Sequence, residues 1–93
     1  MKFDREFRSD AGTNDVYLWG EQPAFGRVRF SIDSRILVDH LGVRNPVHHE
    51  DNLAHCEAKR GRIERACRRA FTRRLADRVS LAAINFAEAA APR

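Results

Sequence analysis

The clearest pattern in the chain is a strict alternation. In Gly26-Arg27-Val28-Arg29-Phe30-Ser31-Ile32-Asp33, Val28, Phe30 and Ile32 fall on one side of an extended backbone, with Arg27, Arg29 and Ser31 on the other. That is the two-residue period of a half-buried β-strand. Just before it, Asp15-Val16-Tyr17-Leu18-Trp19-Gly20 is β-branched and aromatic, a second strand composition. Glu21-Gln22-Pro23-Ala24-Phe25 is short enough to join the two as an antiparallel hairpin with one buried face. The first fifteen residues carry Phe3 and Phe7 among charges and pass through the turn-rich run Ser9-Asp10-Ala11-Gly12-Thr13-Asn14-Asp15.

The period then changes. Asp33 or Ser34 suits the cap of a short helix at about 34–41, and Gly42 suits its stop. Val43 to His49, with Asn45-Pro46, reads as loop. From about 50 to 77 the spacing predicts one long helix, opened by the acidic Glu50 and Asp51. At 100° per residue Leu53, Cys56, Ile63, Cys67 and Phe71 gather within about 80°, a stripe that must be covered. Val79-Ser80-Leu81 returns as a late strand near 79–81. The Ala-rich tail from Ala82 to Arg93 suits one or two helical turns fraying at Pro92. The expected product is an α+β fold: a small antiparallel sheet (the hairpin near 15–33 plus the late strand) packed by the long helix and the short one. It forms a single domain, 1–93, with its ordered core at about 15–86 and flexible ends.

Composition narrows the classes. A chain of 93 residues has room for one modest core that needs neither metal nor disulfides. Met1 to Glu6 is charged where a signal peptide would start its apolar core. No apolar run approaches the ~20 residues that span a bilayer. The expectation is a cytoplasmic protein without a membrane partner. Cys56 and Cys67 are too widely spaced along one helix to bridge each other and too few for a zinc site, so they read as buried thiols.

Charge is unevenly placed. Of seventeen basic residues nine lie between Lys59 and Arg78, giving the segment from Glu57 to Arg78 a net +6 and the remainder −2. A regional basic surface attracts polyanions in a salt-dependent way. On the helix, Arg62, Arg65, Arg69 and Arg73 stack along one outer ridge opposite the apolar stripe, flanked by Lys59 and Arg68. Two readings stand. The ridge is the solvated face of a packed helix, or it is a candidate anion- or nucleic-acid-binding surface whose guanidiniums meet phosphates or an acidic protein. The spacing of sequence-specific DNA readers is absent, and the aromatics fall in strands and core positions rather than among the ridge arginines.

Arg60 points into the apolar stripe, with Glu57 three residues before it and Glu64 four after. Glu57, Arg60 and Glu64 therefore form a candidate structural ion pair that stitches the helix to its neighbours. Gly61 costs helix stability and marks a kink or a close approach.

His48-His49-Glu50-Asp51 and His55-Cys56 hold metal-ligand residue types, but the position four after His49 is Leu53, so the zinc-protease spacing fails. Asp33, Asp39 and His40 lack an accompanying nucleophile, and no Gly-rich phosphate loop is present. The reading is a non-enzymatic binding module with no cofactor.

The ordered set Val16-Tyr17-Leu18-Trp19, Gly26 to Ile32, Ile36-Leu37, Leu41-Gly42, then Leu53-x-x-Cys56-x-x-x-Arg60-x-x-Ile63-Glu64-x-Ala66 with Phe71, Val79-x-Leu81 and Asn85-Phe86 resembles a small, mostly proteobacterial family known as domain of unknown function 1488. The resemblance runs from about Val16 to Phe86. Members tend to carry an aromatic in place of Cys56, Ala in place of Cys67 and Asp in place of Asn85. The resemblance implies a compact α+β fold and supplies no activity. The functional expectation is non-specific association with nucleic acid or another polyanion through the ridge. The alternative is a protein-interaction or homodimer module using the second face of the sheet, at Tyr17 and Trp19, or an exposed strand edge.

Overall fold

In the computed structural model, which describes residues 1–10 and 12–87, the chain begins with two short strands, β1 (Lys2–Phe3) and β2 (Arg8–Ser9). Then come β3 (Val16–Gln22), β4 (Gly26–Ile32), α1 (Ser34–Leu41), α2 (His49–Ala58) and α3 (Arg60–Arg73). It closes with β5 (Arg78–Ser80) and a 3₁₀ turn at Ala83–Phe86. The result is an α+β fold. Its extents of 35 × 34 × 19 Å are those of one sheet layer under one helix layer.

The hairpin forms where alternation places it. β3 and β4 pair antiparallel from Val16 opposite Ile32 to Gln22 opposite Gly26. Val16, Leu18, Val28, Phe30 and Ile32 are fully buried on the inner face. The turn is tight: the Phe25 N–H donates to the Gln22 carbonyl at 2.9 Å, and Gly26 takes φ 106°, the turn-plus-glycine arrangement of a three-residue hairpin loop. Asp33 caps α1, its Oδ1 accepting from the Ile36 N–H at 3.0 Å. Gly42, at φ 77°, ends the helix, and the Val43 N–H reaches back to the Leu37 carbonyl.

Five expectations need correction. The sheet is mixed rather than antiparallel, because β5 joins β4 in parallel, with Phe30 opposite Val79. The long crossover that a parallel pair requires is supplied by the three helices between β4 and β5. The first residues contribute to the sheet as well: Phe3 sits opposite Gly20 and Arg8 opposite Tyr17 on β3. Gly20 makes room for this, since a Cβ there would stand 3.0 Å from Met1 Sδ and 3.2 Å from Phe3 Cδ1.

The long helix is two helices. It breaks at Lys59, whose φ −116° and ψ 27° leave the helical region, and it ends at Arg73 rather than near 77. The break falls two residues before Gly61, which is exposed and has only Arg65 Nη1 near its missing Cβ, at 3.5 Å. Gly61 therefore marks neither the kink nor a close approach. The apolar stripe survives the break: Cys56, Ile63, Cys67 and Phe71 are buried with Ala66 and Ala70, and Leu53 packs partly buried beside them. The expected fraying at Pro92 lies outside the described residues.

Candidate functional site

The fold divides the arginine ridge. Arg62 is half-buried and donates from Nη1 to the His40 carbonyl at 2.6 Å. The last carbonyls of a helix lack partners within it, and a cation there is favoured by the helix dipole. The same guanidinium lies 5.7 Å from the Phe86 ring centroid. Arg69, also half-buried, donates from Nε to the Asn85 carbonyl at 3.1 Å. These two ridge members tie α3 to α1 and to the 3₁₀ turn. Arg65 and Arg73 are exposed. Asn85 is itself buried, its Oδ1 accepting from the Ala82 N–H at 2.8 Å, so this position holds the turn together.

Arg60 does what its place in the stripe suggested, and reaches further. It pairs with Glu57 at 3.2 Å and with Glu64 at 3.0 Å. It also donates to the main-chain carbonyls of Asp4 and Arg5. Burial alone would lower its pKa; the hydrogen bonds to Glu57 and Glu64 outweigh that and hold it above the ordinary value.

One exposed basic cluster lies at the end of α3. Arg73 and Arg74 on the helix end, with Arg78 on β5, surround a cleft of about 330 Å³ that Ser80, Ile84 and Asn85 also line. Arg74 closes the helix, its N–H bonded to the Ala70 carbonyl at 3.0 Å. Among the described residues no carboxylate pairs with Arg73, Arg74 or Arg78. Only Arg73 of this trio belonged to the expected ridge. The other two were legible as part of the basic run, but a helical wheel ending at 77 could not bring Arg78 beside Arg73.

The second face of the sheet, the alternative self-association surface, carries this chain's own arginines over its half-buried aromatics. Arg29 lies 3.9 Å from the Tyr17 ring centroid and Arg27 lies 5.1 Å from that of Trp19. Both are anchored, Arg27 to Asp4 at 3.1 Å and Arg29 to Asp10 at 3.5 Å. Arginines and aromatics are thus interleaved, though on the hairpin and not on the helix. The alternation of the two strands already placed all four on one face.

The remaining chemical candidates are dispersed. Asp33 is a helix cap. His40 stacks on Phe86 at 5.6 Å. His49 meets Asn14 Oδ1 at 2.6 Å. Asp51 and His55 border a second cleft of about 230 Å³ with Arg44, and among the described residues no three of His, Cys, Asp and Glu converge as metal ligands. Both thiols are buried, and burial pushes Cys56 up to about 12 and Cys67 higher still. Among the described residues no helix is long and apolar enough to cross a membrane.

No protein-family model, curated protein or solved structure matches the chain. The family resemblance rests on the ordered residues alone.

Proposed function

We propose that this chain is a binding domain, without catalysis of its own, for an anionic partner held at the corner formed by Arg73, Arg74 and Arg78. One observation carries the reading: three guanidiniums border one cleft with no carboxylate paired to them among the described residues. Arg60, Arg62 and Arg69, by contrast, make contacts within the fold. Guanidiniums left in this arrangement suit carboxylate or phosphate oxygens, which they meet in a two-pronged fashion. Asp77 adjoins them in sequence and leaves the group a net +2. Attraction of this kind is long-ranged and weakens with salt.

The test is local against global charge. A corner variant (Arg73→Glu, Arg74→Glu, Arg78→Glu) is compared on immobilised heparin with a scattered variant of equal charge (Arg8→Glu, Arg35→Glu, Arg44→Glu). All six positions are exposed. The corner variant is expected to elute at clearly lower salt than the scattered one. Equal elution would show that only overall charge matters and would remove the corner as a site.

A further inference from the structure

The cleft beside Arg73, Arg74 and Arg78 opens along the edge of the sheet, and that edge is unfinished. The Arg29 N–H donates to the Asp77 carbonyl and the Leu81 N–H to the Ser31 carbonyl, both at 2.9 Å. Bonding direction alternates along a strand, so Asp77, Val79 and Leu81 turn their main-chain groups to β4 while Arg78 and Ser80 turn theirs away. Among the described residues no strand lies beyond β5. Arg78 and Ser80 both line the cleft. Main-chain donors and acceptors thus stand in a row beside three arginines.

The setting discriminates among occupants. A second copy pairing edge to edge through β5 would bring two Arg73–Arg74–Arg78 groups together, and like charges across an edge oppose pairing. A nucleic acid would use the guanidiniums but leave the outward main chain idle. Its bases would find Tyr17 and Trp19 already under Arg29 and Arg27, and the exposed Phe25 already packed edge-on against Phe71. An extended acidic peptide uses everything present. Its main chain meets Arg78 and Ser80, its carboxylates meet the guanidiniums, and an apolar side chain on the alternate face meets Ile84, which is 56% exposed within the cleft lining.

We propose that β5 is a docking edge that takes up an extended, acidic peptide segment as an added strand. This rests on the anion-binding reading of the same corner and adds the partner's class and its mode of attachment. A strand of three residues offers few hydrogen bonds, so the complex is weak and transient, and its strength falls with salt.

The experiment uses the full chain and three fluorescein-labelled probes: the peptide Glu-Val-Glu-Val-Glu-Val-Glu, the same peptide N-methylated at alternate residues, and an oligothymidine of the same length. Anisotropy titration at low salt is expected to show the plain peptide binding about tenfold more tightly than its N-methylated form, a difference of about 1.4 kcal/mol. Methylation keeps every carboxylate while it removes main-chain donors and puts a methyl in the way of strand pairing. Arg78→Glu is expected to weaken the plain peptide by a similar factor while Arg35→Glu leaves it unchanged. Amide exchange at Arg78 and Ser80 should slow on addition of the plain peptide. Equal binding of the two peptides overturns strand addition and leaves the anion reading intact. Tighter binding of the oligothymidine, displacing the peptide, overturns the partner class alone. If none of the three probes binds, the inference and the anion reading both fall. Because the decisive comparison changes the probe, it does not depend on any variant folding.

Discussion

The Arg60 guanidinium lies 4.7 Å from the centroid of the Phe7 ring. A helix cation and an aromatic from the segment between β1 and β2 therefore share a contact, and the same guanidinium holds the main-chain carbonyls of Asp4 and Arg5. With Phe7 buried, the opening segment is fastened to α3 by one side chain that also satisfies Glu57 and Glu64. Arg60→Ala is expected to cost about 2 kcal/mol, because it leaves several acceptors without a donor at once. The urea midpoint should fall with the slope unchanged. Arg60→Lys should recover less than half of the loss, since an ammonium cannot fork between four acceptors. An unchanged midpoint in Arg60→Ala would reduce the network to decoration.

Arg62 and Arg73, equivalent on a helical wheel, should separate experimentally. Arg62→Ala removes the bond to the His40 carbonyl and should destabilise by about 1 kcal/mol. Arg73→Ala, at an exposed position, should stay within about 0.5 kcal/mol of the parent. Matching losses in urea unfolding would contradict the division of the ridge.

Asn52 is fully buried at the start of α2, and its Nδ2 donates to the Pro46 carbonyl at 2.6 Å. Asn52→Ala should cost about 1–3 kcal/mol by stranding that carbonyl. Asn52→Asp should be worse at neutral pH and partly recover in acid, because a buried carboxylate is tolerated only once protonated. A midpoint for Asn52→Asp that does not rise on acidification, relative to the parent, would exclude this account.

Two glycines should respond with opposite signs. Gly42, at φ 77° with open space around it, pays only for backbone conformation, so Gly42→Ala should destabilise by about 1 kcal/mol. Gly61 lies inside α3, and an added methyl would make only ordinary contact with Arg65. Gly61→Ala should stabilise by about 0.5–1 kcal/mol. Thermal melts of the two variants on either side of the parent would bear this out, and a shared direction would not.

The thiols make stability fall in alkali. Unfolded, each ionises near the ordinary value of 9.0; folded, burial holds Cys56 protonated up to about 12 and raises Cys67 as well. The folded state thus binds more protons across that interval. The contribution is fully present below about pH 9 and is lost as pH rises towards 12. Each thiol adds about 1.4 kcal/mol of lost stability per pH unit there. Urea midpoints between pH 8 and 10.5 should decline, and Cys56→Ala should decline less steeply, whatever its starting stability. Parallel slopes would rule out the thiol as the cause.

Much of the frame was legible. Period two in Gly26 to Asp33, the Asp33 cap, the Gly42 stop and the stripe from Cys56 to Phe71 are local signals, and each appears in the fold where local chemistry puts it. What escaped is set by neighbours. Strands of two residues at Lys2–Phe3 and Arg8–Ser9 are too short to show a period, and only the pairing with β3 makes them strands. The break at Lys59 carries no Pro or Gly; Gly61 nearby drew attention to the wrong residue. The ridge was correct as a geometric object on one helix. Its division follows from where α1 ends and where the 3₁₀ turn lies, and neither location is written in the spacing of the arginines.

The parallel seat of β5 also sets an order of events. β4 has no neighbour on that side until residues 33–77 have been made and folded back, so on a growing chain its main chain waits exposed while three helices assemble. Closure therefore depends on partners far apart in the chain, such as Phe30 and Val79, finding each other, a slow and non-local step. Any circumstance that delays α2 or α3 prolongs the life of an open, apolar-faced hairpin edge that other chains can join.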